Sequence, residues 1–133
     1  MKIKTIRQSV TFRGASPREV YETIMDSKKQ TKATGMKAKM TRKIGGAYTA
    51  GDGYITGRNL ELVPDKLIVQ SWQADEDAWP KSHFSIVRFR FTKTPAGTRR
   101  DFSHSGVPAA LAVDTAGGWH EWYWEPMKLA LAK

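Results

Sequence analysis

The chain contains no cysteine, so it has no disulfide framework, no thiolate nucleophile and no cysteine-based zinc site, and covalent thiol chemistry is excluded. Long apolar runs are missing too. No stretch approaches the ~20 apolar residues that a membrane span needs, and the N-terminal Met1-Lys2-Ile3-Lys4-Thr5-Ile6-Arg7 carries charge but no apolar run of signal-peptide length. These lacks lead to the expectation of a soluble, cytoplasmic protein. Tandem repeats, low-complexity tracts and linkers are absent, and 133 residues suit one core, so a single domain over 1–133 is expected.

What is abundant is positive charge. The net charge is +9, and it is unevenly spread: residues 1–43 hold twelve Lys/Arg against three Asp/Glu, the remainder ten against ten. A basic third of this kind suits an acidic protein or chaperone surface, or else simply solubilises one face. Lys28, Lys29, Lys32, Lys37, Lys39, Arg42 and Lys43 have no aromatic residue interleaved. Bases would find no stacking platform there, so no sequence-specific nucleic acid is expected.

Alternation dominates most of the chain. Ile6, Val10 and Phe12 recur with period two from Ile3 to Arg13, which predicts a strand with one buried face. Ser16-Pro17-Arg18-Glu19 then reads as a capping box with proline in the first helical turn. Val20, Tyr21 and Ile24 follow at helical spacing, and a second short helix over Ser27 to Ala33 ends at Gly35. Six more strands are predicted at about 36–42, 46–50, 54–62, 66–73, 84–93 and 98–105. Turn chemistry at Gly45-Gly46, Gly51-Asp52-Gly53, Pro64-Asp65 and Pro95-Ala96-Gly97 joins them tightly, as in an antiparallel sheet.

From Pro108 onward alternation stops and a helix is predicted, broken near Gly117-Gly118 and loosened at Pro126, which lacks an N–H for the carbonyl of Trp122. At 100° per residue, Trp119, Trp122, Tyr123, Met127 and Ala130 share one face, opposite Glu121, Glu125 and Lys128. The expected architecture is α+β: a curved antiparallel sheet wrapped around a long C-terminal helix, with two short helices after strand one.

Several short motifs make this reading more specific. Pro17-Arg18-Glu19-Val20-Tyr21, Gly45-Gly46, Asp52-Gly53-Tyr54-Ile55-Thr56-Gly57, Leu62-Val63-Pro64, Trp72, His104-Ser105-Gly106-Val107-Pro108 and Gly118-Trp119 occur in that order. From about Thr5 to Leu131 the chain resembles the family of activator-of-heat-shock-ATPase homologues in its C-terminal-domain form, within the START-like (SRPBCC) superfamily. The resemblance implies the helix-grip fold. It also implies one of two roles. In the eukaryotic members this domain follows a separate N-terminal domain, of which no counterpart is read in these residues, and stimulates the ninety-kilodalton heat-shock chaperone. Stand-alone members resemble small-molecule-binding START-like proteins.

A sheet curled around a helix leaves a cavity wherever side chains do not fill it. The walls expected for a small apolar or aromatic ligand are Trp119, Trp122, Tyr123 and Met127 on the helix, with Val87, Phe89, Phe102 and His104 on the sheet and Tyr48 and Trp72 as further candidates. The competing expectation is that these aromatics are simply core. His104 is the one weak catalytic candidate, as a general base in a cyclase- or hydrolase-like pocket, although no carboxylate stands at a suggestive spacing to orient it. Asp75-Glu76-Asp77 cannot all face one ion without a shaped loop, and nothing places His83, His104 and His120 together, so no metal or cofactor is expected.

Overall fold

The computed structural model of the chain describes residues 1–132. Strand β1 (Ile3–Arg13) is followed by helices α1 (Pro17–Met25) and α2 (Ser27–Thr34), then by β2 (Ala47–Ala50), β3 (Ile55–Val63), β4 (Leu67–Ala74), β5 (Ser85–Thr94) and β6 (Gly97–Pro108). All neighbours are antiparallel and the sheet order is β1-β6-β5-β4-β3-β2. A short 3-10 turn at Ala109–Leu111 leads into α3 (Ala112–Trp119), a π-turn (His120–Trp124) and α4 (Glu125–Leu131). No helix among the described residues is long and apolar enough to cross a membrane.

The local signals act as their chemistry requires. Ser16 Oγ accepts from the Glu19 N–H at 3.1 Å while the Glu19 carboxylate accepts from the Ser16 N–H at 3.0 Å, closing the capping box. Gly35, at φ 76, ends α2 in the left-handed conformation. On β1 the inward residues are Ile6, Val10 and Phe12, and on β5 they are Val87, Phe89 and Phe91, all buried, while Arg88 and Arg90 point to solvent.

Two elements depart from the sequence expectation. The stretch 36–42 is not a strand: only Lys39 forms a bridge, with Thr49. Its backbone N–H groups are taken by side chains instead, Lys37 by Asp52 Oδ1, Ala38 by Thr31 Oγ1 and Met40 by Ser27 Oγ, so α2 and the Gly51–Gly53 turn hold this segment in place of a ladder. The second departure is in the C-terminal helix. It runs unbroken through Gly117 and Gly118, and the loosening falls on the π-turn immediately before Pro126.

Gly57 is fixed by close approach. Tyr48, its partner across β2 and β3, lays its ring over Gly57 and donates its hydroxyl to Ser71 O at 2.6 Å. A Cβ at Gly57 would lie 1.9 Å from Ser71 O and 2.8 Å from Tyr48 Cε1. Gly117 faces open space, with nothing within 4 Å of its would-be Cβ. Gly57→Ala is therefore expected to destabilise the fold by ~3 kcal/mol or more, and Gly117→Ala to stabilise it by ~0.5–1 kcal/mol through the better helix former. Urea denaturation of the two variants measures both signs.

Candidate functional site

The site is built around the joint between β6 and the C-terminal helix. Thr98, Arg100, Phe102 and His104 face inward from β6 and are all buried. The Trp119 indole N–H donates to His104 Nδ1 at 3.1 Å. That nitrogen is therefore the acceptor, so the neutral ring carries its proton on Nε2 and donates to Ser85 Oγ at 2.7 Å. Ser85 Oγ in turn donates to Trp72 O at 2.8 Å. Both ring nitrogens are occupied, and His104 has no free lone pair with which to act as a base. Burial lowers its pKa from 6.5 to about 3.

On the helix side, the π-turn sets Trp119 and Trp124 on one face although they are five residues apart. Their rings stack at 5.3 Å with 13° between planes. Trp119 also packs on Phe102 at 4.6 Å and on Trp72 at 5.9 Å. Below this stack the Arg100 guanidinium lies 3.5 Å from the Trp124 ring centroid, a buried cation–π contact. Burial lowers the Arg100 pKa to about 9, with the Asp101 charge opposing the shift, so the group stays charged at neutral pH. Gln8 ties the same region to β1, accepting from Trp124 Nε1 at 2.7 Å and donating to Ala116 O at 2.9 Å.

This packing fills most of the space between sheet and helix. What remains inside is a void of about 30 Å³, bordered by Tyr48, Trp72, Phe89, Trp119, Tyr123, Trp124 and Met127 among others. The larger opening lies at the end of the helix. There a cavity of about 510 Å³ is bounded by α3 and the π-turn on one side and by the Gly51–Gly53 turn, Tyr54, Ile55, Trp72 and Glu76 on the other. The turn is held by reciprocal bonds, Asp52 N–H to Lys37 O at 3.1 Å and Lys37 N–H to Asp52 Oδ1 at 2.6 Å. Across it, the Tyr54 hydroxyl donates to Glu76.

A sequence profile for the family described as "Activator of Hsp90 ATPase homolog 1-like protein" matches residues 14–132. The chain belongs to this family. It is 29% identical over 113 residues to the human activator of 90 kDa heat shock protein ATPase homolog 1, a match covering 85% of this chain and 33% of the human protein. The chain thus spans about a third of the length of that relative. Among solved structures, an HSP90 activator from Plasmodium falciparum superposes with a TM-score of 0.82 at 19% identity, covering 97% of this chain and 95% of the other. A protein from Chromobacterium violaceum gives 0.78 at 24% identity, covering 97% and 98%. These two likenesses establish the helix-grip fold.

Within this family fold the residues singled out from the sequence separate into groups. Trp72, Trp119, Trp122 and Tyr123 meet at the larger cavity. Tyr48, Phe89 and Met127 border only the small void, while Val87, Phe102 and His104 line neither space and are packed core. The helical face is corrected: Trp122 is 53% exposed and Ala130 is exposed, whereas Trp124, outside the predicted stripe, is 0% exposed. The extra residue of the π-turn shifts the phase that 100° per residue assumes, so that Trp124 turns inward and Trp122 outward, while Tyr123 and Met127 stay on the inner side.

Arg100 and Gln8 were legible in part, since Arg100 shares the parity of Phe102 and His104 and Gln8 that of Ile6 and Val10, whereas Trp124 lay outside the expected helical face. His83 Nε2 donates to Gly106 O at 2.7 Å, tying down the 75–84 loop, and His120 is exposed. The seven basic residues from Lys28 to Lys43 are all exposed.

The His104 relay has a pH signature. An unfolded His104 takes up a proton below about pH 6.5, but the folded one stays neutral to about pH 3, so across that window the unfolded state binds more protons and stability falls as pH falls. Between about pH 7 and about pH 5, denaturation midpoints should show wild type losing roughly 2 kcal/mol more than His104→Gln. Equal losses in the two proteins would contradict this role.

Proposed function

We propose that this chain is a binding module that holds a small apolar or aromatic molecule in the cavity at the end of its C-terminal helix. The observation that carries this reading is the cavity itself. Its volume of about 510 Å³ lies in the range of small-molecule sites, and Trp72, Trp119, Trp122 and Tyr123 supply aromatic wall with Ile55 and Leu111 between. The filled interior behind it supports the reading. Trp119 cannot swing without breaking its bond to His104 and its stack on Trp124, so this wall is preorganised. No reaction and no cofactor are assigned, and a cytoplasmic setting goes with this reading. Titration of naphthalene-ring ligands should quench tryptophan fluorescence saturably. Thr115→Trp, which places bulk in the cavity wall, should weaken binding at least 10-fold while leaving the melting temperature within a few degrees; quenching unchanged by Thr115→Trp would place the ligand elsewhere.

A second reading, interaction with a ninety-kilodalton heat-shock chaperone, is favoured by family membership, by the human relative and by the exposed basic stretch from Lys28 to Lys43. Charge of this kind speeds encounter with an acidic partner. The chain should then co-purify with the chaperone and raise its ATPase rate, and reversal of Lys28, Lys29 and Lys32 to Glu should abolish both. A full stimulatory effect from the reversed chain would remove the basic stretch from this role.

A further inference from the structure

The charge of the cavity wall is opposite to that of the chain. The sequence holds 22 Lys and Arg, yet among the described residues no Lys or Arg lines the cavity, while Asp52, Glu76 and Asp114 all do. They arrive from three separate places: the tight turn before β3, the segment after β4, and the first turn of α3. Among the described residues none of the three is in an ion pair. Each has a local partner or setting that uses only part of its capacity. Asp52 spends one oxygen on the Lys37 N–H, Glu76 accepts from the Tyr54 hydroxyl, and Asp114 sits where a helix N-terminus favours an acid.

Two further observations turn this acidic rim into ligand chemistry. The first is aromatic: Trp72, Trp119 and Trp122 border the same space, and indole is the aromatic side chain that attracts cations most strongly. The second is Tyr123, a residue of the same wall, whose hydroxyl is buried and has no hydrogen-bond partner among the described residues. Burial, and then the Asp52 charge, raises its pKa, so it remains a neutral phenol with a free oxygen lone pair.

We infer that the ligand of this cavity is an organic cation, an amine or quaternary ammonium carried on an apolar or aromatic body. The inference rests on the ligand-binding reading above and specifies the charge of what is bound. A metal ion does not fit the same residues. No group of three or more Asp, Glu, His or Cys among the described residues is gathered closely enough to hold one, whereas carboxylates spread around a rim of this size suit a charge distributed over a bulky head. An anionic ligand would face three carboxylates without a compensating cation in the wall. Fatty acids and phosphorylated molecules are therefore disfavoured.

Three ligands sharing one ring separate the possibilities by calorimetry at low salt: (2-naphthylmethyl)trimethylammonium, 2-naphthylmethanol and 2-naphthylacetate. The cation is expected to bind at least roughly 10-fold more tightly than the alcohol, with the acetate weakest. In the isosteric triple variant Asp52→Asn, Glu76→Gln, Asp114→Asn, the advantage of cation over alcohol should shrink to within about 2-fold, and each single variant should remove roughly 2- to 5-fold. The single variants carry the test if the triple variant does not fold. Binding of the alcohol or acetate as tightly as the cation would overturn the inference and leave the cavity reading standing. No binding by any of the three at millimolar concentration would overturn the cavity reading and this inference with it.

Discussion

One buried hydrogen bond, from the Trp119 indole to His104 Nδ1, sets the position of the C-terminal helix on the sheet. An apolar helix face can slide over an apolar sheet at little cost, because dispersion contacts are non-directional. A donor that must meet one nitrogen cannot slide. The relay continues through Ser85 to the carbonyl of Trp72, so β4, β5, β6 and the helix are registered together by three bonds in a setting where an unmade bond would be costly. The aromatic stack, the packed interior and the placement of Trp119 at the cavity all follow from that registration.

Much of this was legible in the residues. Period-two alternation placed Val87, Phe89, Phe91, Phe102 and His104 on inner faces because a strand has no other way to present successive side chains. Motif order identified the fold because turn glycines and capping residues are local, and local chemistry reads directly from sequence. The stretch 36–42 misled for the same reason. Alternation there has a second origin: the N–H groups of Lys37, Ala38 and Met40 are matched to side chains on α2 or on the Gly51–Gly53 turn, and those partners are not neighbours in sequence.

The C-terminal helix was misread by one residue. A uniform 100° step placed Trp122 inward and passed over Trp124, although Pro126 was the signal that the backbone ahead of it would not be regular. Arg100 was hidden by its charge. A guanidinium on an inner face reads as an exception until the ring that shields it, Trp124, is known to lie above it. The cavity was least legible, since it depends on which large side chains leave space at one end, and its carboxylates come from Asp52, Glu76 and Asp114.

The π-turn also changes how this chain should be compared with its relatives. The stacked indoles are five positions apart, where an ordinary α-helix would bring residues four apart onto the same line. A homologue lacking one residue between the two positions could build the same stack from uninterrupted α-helix. Two chain lengths then encode one wall, and equivalent side chains beyond Trp119 are matched only if a one-residue gap is opened inside the helix. Gap-free matching would set Trp124 against a position one step out of phase and give a buried residue the tolerance of an exposed one.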